Sequence, residues 1–196
     1  MTVTSRTSHP GEGLAPGITV RRALPAELTA AGAVVRLAYE ADGRDDDYLD
    51  VVADAEDRSR DAEIAVAVDD TGEVIGCVTF VLPGSRWAEL SEPGDAEFRM
   101  LGVHPAARGR GIGRALTSWC IDQARSTGAR RILLCSLPSM EAAHRLYGAL
   151  GFRRRPELDR TPEPGLLLLG FELPLARDLG TEPTGGTTPA ASPISS

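Results

Sequence analysis

A mixed β-sheet covered by helices is the α/β fold class this sequence predicts, and three observations point to it. Apolar periodicity switches between strand and helix in the order β α α β β β α β α β. Asp70-Thr71-Gly72 has the turn chemistry that joins two strands as an antiparallel hairpin. A strand, a Gly-rich loop, a helix and a further strand then follow as one βαβ unit. The hairpin supplies antiparallel pairing and the βαβ unit a parallel pair, so the order is not that of a repeating doubly wound sheet.

Each element has its own warrant. Ile18 to Leu24 alternates as a short strand, and Pro25-Ala-Glu opens a helix that carries Leu28, Val34, Val35 and Leu37. A second helix is expected from Asp46 to Arg58. Glu63 to Asp69 and Glu73 to Leu82 flank the hairpin turn, and Pro83 to Gly94 is a loop. Ala96 to Val103 reads as a strand, Ile112 to Ser126 as a helix, Arg131 to Leu137 as a strand and Met140 to Leu150 as a helix. Leu166 to Leu173 supplies the last strand.

The chain of 196 residues and 20.7 kDa, 42% hydrophobic and 25% charged, has material for one packed domain. That domain is expected over residues 18–177. The Thr, Ser, Gly and Pro-rich ends, 1–17 and 178–196, cannot bury enough apolar area to offset chain entropy and are expected to be disordered tails.

Composition excludes several functions. The 21 basic residues are all Arg, so a lysine nucleophile, a Schiff base and the lysine of a P-loop are ruled out. A net charge of −7 disfavours nucleic acid as a partner. No apolar run approaches the roughly 20 residues of a membrane span, and the N-terminal residues contain no signal-peptide core. Cys77, Cys120 and Cys135, odd in number and set in apolar runs, read as reduced core thiols, and a cytoplasmic location is expected. His9, His104 and His144 are far apart, so no metal is expected.

The densest chemical signal is AEFRMLGVHPAARGRGIGRAL, Ala96 to Leu116. Gly109, Gly111 and Gly113 let backbone N–H groups approach an anion, and the helix start adds unpaired donors and its dipole. Arg108, Arg110 and Arg114 gather positive charge there in an otherwise acidic chain, which suits a phosphate or pyrophosphate. A dinucleotide fingerprint fits poorly, because Arg114 stands where its third glycine would be.

Arg108-Gly-Arg-Gly111-Ile-Gly113 resembles the R/Q-x-x-G-x-G/A signature of the GCN5-related N-acetyltransferases, whose loop wraps the pyrophosphate of acetyl-coenzyme A. Ala143-His-Arg-Leu-Tyr147, ending at Gly151-Phe152, is similar to the family's second signature. The resemblance covers about residues 18–173 and implies acetyl-CoA as acyl donor, bound by Arg108, Gly109, Arg110, Gly111, Ile112 and Gly113. It further implies that Leu101, Gly102 and Val103 meet the pantetheine arm, and that Tyr147 is the general acid for the departing thiolate. Glu97, eleven residues before Arg108, stands where histone-type members carry the general base, although it could equally pair with Arg99. Met140 replaces an Asn that many members use to contact coenzyme A, and Ser139 is the candidate substitute.

The activity so implied is transfer of an acetyl group to a primary amine by direct attack in a ternary complex. Between Glu40 and Glu63 eleven acids face only Arg44, Arg58 and Arg60, and a negative rim of this kind would favour a small cationic acceptor. Alternatives are acetylation of protein N-termini or lysines, and a non-catalytic acyl-CoA-binding regulator. A homodimer is common among such families, but no interface is visible in the sequence. His144, one helical turn before Tyr147, reads as a partly exposed helix residue, Cys135 as core, Trp87 as a loop aromatic and Trp119 as a core helix residue.

Overall fold

The structure is a computed structural model that describes residues 13–44 and 47–175. In chain order its elements are β1 (Thr19–Arg22), α1 (Leu28–Ala41), α2 (Tyr48–Ala53), α3 (Ala55–Ser59), β2 (Glu63–Val68), β3 (Val74–Val81) and β4 (Asp95–Val103). These are followed by α4 (Ile112–Ser126), β5 (Arg131–Ser136), α5 (Glu141–Ala149), β6 (Arg153–Arg154), β7 (Arg160–Glu163) and β8 (Leu166–Pro174). The strands lie in the order β1-β2-β3-β4-β5-β8-β6, with β7 paired to β8. The β4–β5 pair, joined through α4, is parallel, and the other pairs described are antiparallel. The expected mixed sheet is therefore present.

Residue alternation decides which helices cover which face. In β2, Ile64, Val66 and Val68 join a cluster with Val34 and Val35 of α1, Leu49 and Val52 of α2 and Ala55 of α3. Their neighbours Ala65 and Ala67 point the other way, to Ile112 and Leu116 of α4. Small residues on the α4 side let that helix approach the sheet closely. Phe80, Phe98, Ile132, Leu134, Tyr147 and Phe152 complete this second core, and Trp119 packs against it edge-on to Phe80.

The helix expected from Asp46 to Arg58 is two helices, with Asp46 outside the described residues. The break falls at Asp54, whose carboxylate accepts the Asp57 N–H at 2.8 Å; an aspartate gains more as an N-cap than in a helix interior. Arg58 then turns into the core. It donates to the carbonyls of Val51 and Val52 at the end of α2, at 3.0 and 2.6 Å, and to Thr79 Oγ1 at 3.1 Å, tying α2 to β3. Strands β6 and β7 were not anticipated, because the segment RRRPELDRTPE has charge and proline but no apolar period.

Residues 1–12 and 176–196, within or next to the expected tails, lie outside the described residues. Gly13 to Gly17 are described and join the fold: Leu14 and Ala15 pack on the α4-side core, and the Ala15 N–H donates to the Arg110 carbonyl at 3.0 Å. Among the described residues no helix is long and apolar enough to cross a membrane. Burial pushes the Cys77 thiol up to about 12 against the opposing pull of Arg58, and the Cys135 thiol up to about 11, so both are protonated at neutral pH.

Candidate active site

The site grows from an interruption in the sheet. β4 pairs with β5 only from Asp95↔Arg131 to Glu97↔Leu133, while its pairing with β3 continues to Val103↔Gly76. Beyond Glu97 the edge of β4 that would face β5 has no strand partner among the described residues. Within this stretch the β3–β4 register shifts by one residue, and Met100 takes φ 52, a left-handed conformation that costs a non-glycine residue about 1–3 kcal/mol. The bulge re-aims the backbone of Leu101, Gly102 and Val103, and all three line a cavity of about 420 Å³.

The other cavity walls come from α1, the Gly-rich loop and α5: Ala38 and Asp42, Arg108 and Gly113, and the run Ser139 to Ala143 with Leu146 and Tyr147. Gly102 permits the close contact of α1, since a Cβ there would lie 2.8 Å from the Val35 Cα. His104 starts the loop by accepting the Ala106 N–H on Nδ1 at 3.2 Å, and Gly109 and Gly111 follow with φ 81 and 80. Gly111 is the left-handed N-cap of α4, so the first N–H groups of that helix open at the end of the loop. Its α-carbon also abuts the Gly13 carbonyl, where a side chain would collide.

Tyr147 is buried on α5, with its ring about 6 Å from those of Phe98, Phe152 and Phe171. Burial, with a smaller contribution from Cys120, holds its phenol well above the usual tyrosine range. The group therefore keeps its proton through neutral pH and can act as an acid. His144, one turn earlier, meets Ser136 Oγ at 3.2 Å and lies against the Phe171 ring, pinning α5 to β5 and β8.

Glu97 has a different setting. Only 2% exposed and outside the cavity lining, it accepts three backbone N–H groups on Oε2, from Glu89 at 3.0 Å, Leu90 at 2.9 Å and Ser91 at 3.2 Å. This geometry makes it the anchor of the 89–91 loop and does not support the base role. The anchored loop presents Glu89 to Arg99 at 2.7 Å and to Arg160 of β7, on the sheet face that α1 to α3 cover. Nearby, the Tyr39 and Tyr48 rings lie 6.2 Å apart, and the Arg44 guanidinium covers Tyr48 at 4.6 Å.

Of the residues expected from the sequence, Leu101, Gly102, Val103, Arg108, Gly113, Ser139 and Tyr147 meet around one cavity, with Met140 beside Ser139. Gly109, Arg110 and Gly111 shape the loop without lining that cavity, and Ile112 is a core residue. Sequence reasoning missed Ala38, Asp42, Glu141 and Ala142, and it held Ala143 and Leu146 only as members of the second signature. Leu146 was within reach, since it shares a helical face with Ala143, whereas nothing local marks Asp42.

Among the described residues, six of the eleven acids in the acid-rich run form ion pairs with arginines. Glu40 and Asp50 pair with Arg36, Asp42 with Arg108, Asp57 and Asp61 with Arg86, and Glu63 with Arg22. Asp45 and Asp46 lie outside the described residues, and Asp47 is exposed.

Residues 33–152 match the Acetyltransferase (GNAT) family. A mycothiol acetyltransferase of Sanguibacter keddieii is 29% identical over 150 residues, which are 75% of this chain and 47% of that protein. Another, of Geodermatophilus obscurus, is 39% identical over 79 residues, 37% of this chain and 26% of the relative. The chain thus spans about a quarter to a half of the length of these curated relatives. Among solved structures, a GCN5-related N-acetyltransferase from Kribbella flavida aligns with TM-score 0.60 at 29% identity, covering 81% of this chain and 98% of that one. The structure of yncA from Salmonella typhimurium, solved with its cofactor acetyl-CoA, aligns with TM-score 0.60 at 25% identity, covering 89% and 99%.

Proposed function

Because this chain belongs to the Acetyltransferase (GNAT) family, we propose that it carries the acetyl group of acetyl-CoA to the primary amine of a small molecule, by direct attack within a ternary complex. Acetyl-CoA is the family's acyl donor and, when bound, supplies an activated thioester. The observation that carries the reading is the single cavity on which Arg108, the open edge of β4 and Tyr147 converge.

The residues present fit this donor. The cavity is of ligand size, and its apolar wall of Ala38, Leu101, Val103, Ala143 and Leu146 suits the arm of coenzyme A. Backbone N–H and C=O groups released by the Met100 bulge are available to the amides of that arm. Arg108 and the N–H groups at the start of α4 supply positive charge for the diphosphate. Transfer forms a C–N bond and breaks the C–S bond, and Tyr147 gives its proton to the departing sulfur. The attacking amine loses its proton to water, since Glu97 is committed to the 89–91 loop.

The cationic acceptor class loses support where arginines pair with part of the acid-rich run. A second reading, favoured by the names of the relatives, is an acceptor of the mycothiol type. Protein N-termini and lysines remain the macromolecular alternative for the same chemistry.

Calorimetry with acetyl-CoA, coenzyme A and ADP on the wild type and Gly113→Glu tests the donor. Gly113 lines the cavity and a Cβ there meets only ordinary contacts, so the new carboxylate opposes the diphosphate without disturbing Gly13. Binding of both coenzyme A species by the wild type, lost in the variant, is the expected result; a folded wild type that binds neither overturns the reading. Thiol release with a panel of small amines, mycothiol-type acceptors and peptides then identifies the acceptor.

A further inference from the structure

Arg108 and Asp42 both line the cavity, and they hold each other. The guanidinium donates to Asp42 Oδ1 at 2.9 Å from Nη1 and to the Ala38 carbonyl at 3.1 Å from Nη2. A carboxylate has the wrong sign for a cavity that takes a diphosphate, because it repels the ligand and engages the cation that would meet it. Nor does α1 need this carboxylate to end, since the Asp42 N–H already closes the last turn on the carbonyls of Ala38, Tyr39 and Glu40.

We propose that Asp42 is a built-in competitor for Arg108, which lowers the affinity of the site for the donor's diphosphate and favours release of coenzyme A after transfer. The inference rests on the acetyl-CoA reading above. A diphosphate entering the cavity takes Arg108 from Asp42 or shares it with a second anion, and either outcome subtracts from binding. The Asp42 side chain is 35% exposed, so the displaced carboxylate is hydrated at low cost. Because Arg108 also caps the last turn of α1, the exchange acts on the helix that carries Tyr39, whose ring meets Tyr48 of α2.

The test is a double-mutant cycle with Asp42→Asn and Arg108→Gln, read by calorimetry with coenzyme A, dephospho-coenzyme A and inorganic pyrophosphate. Asp42→Asn is expected to bind coenzyme A roughly two- to tenfold tighter than the wild type, and the gain is expected to vanish in the Arg108→Gln background. Dephospho-coenzyme A and pyrophosphate should keep the gain, since both retain the diphosphate; its loss with both would overturn the assignment. Unchanged or weaker binding by Asp42→Asn overturns the proposal, as does an equal gain without Arg108. Asparagine is well tolerated at helix ends, and circular dichroism confirms folding of each variant. Failure of the wild type to bind coenzyme A removes the acetyl-CoA reading and this inference together, whereas binding unaltered by Asp42→Asn removes this inference alone.

Discussion

The two sides of the sheet around the end of β4 carry their charge in different ways. On the donor side, apart from the Arg108–Asp42 pair, the features are made by backbone: the Met100 bulge, the open edge of β4 and the left-handed Gly111 at the start of α4. On the side of α1 to α3 they are made by pairs of side chains, with Glu89 between Arg99 and Arg160, and Arg36 between Glu40 and Asp50. Even Glu97, which the sequence aligns with a catalytic role, belongs to the second kind, because its carboxylate is a bracket for the 89–91 loop. A backbone site keeps its groups in place whichever side chains surround it, whereas a paired site has little charge left to offer a ligand.

Four measurements can break or sharpen that contrast. The largest effect is expected for Tyr147→Phe, which removes a proton donor yet keeps the ring among Phe98, Phe152 and Phe171: kcat should fall by about 10²- to 10⁴-fold with donor affinity unchanged. A loss of less than threefold would make Tyr147 a packing residue. Because burial raises its phenol above the usual tyrosine range, wild-type activity should show no Tyr147-linked decline up to about pH 10.

Glu97→Gln comes next. An anchor carboxylate that accepts three backbone N–H groups should cost about 1.5–3 kcal/mol of stability when neutralised, with the acidic limb of the kcat/KM profile unmoved. Disappearance of that limb at unchanged stability would restore the base role.

Asp95 provides a test of pH dependence. Burial works against its charged form, but the Arg131 hydrogen bond, the Glu92 N–H and the charges of Arg131 and Arg130 outweigh it and hold the carboxyl below its usual range. A folded-state value below the unfolded one means that its stabilisation is present above the ordinary aspartate range and is lost as pH falls through the lowered value. Urea denaturation from pH 7 to pH 3 should show this decline, and Asp95→Asn should flatten it; an unaltered slope would show that the Arg130–Arg131 clamp is electrostatically idle.

The smallest effect is expected from replacing Asp45, Asp46 and Asp47 with Asn. If the acid-rich run is a solvated face, acceptor kcat/KM and its salt dependence should stay within roughly twofold. A larger drop, steeper at low salt, would return a cationic acceptor to the α1–α3 side.

What was legible in the sequence follows the same division. Helix α4 was read to its end residues because glycine, apolar period and cap lie within one short stretch, and Tyr147 was found because its neighbours form a local signature. The split between α2 and α3 was hidden by Asp54, which is as acceptable in an exposed helix face as at a cap. Strands β6 and β7 were hidden because their pairing with β8 supplies order that their own residues do not encode. Asp42 and Arg108 are 66 positions apart, so no local pattern could join them.

The narrow junction of β4 with β5 has a mechanical side. Among the described residues, three pairs, Asp95↔Arg131 to Glu97↔Leu133, form the only ladder between β1–β4 and the strands built on β5. Two half-sheets stitched so briefly behave as a book whose spine is short, with the Asp95–Arg131 pair as its binding at one end. Strain applied to either cover is concentrated on those few rungs, so their amides should set the tempo at which the whole sheet opens to solvent exchange.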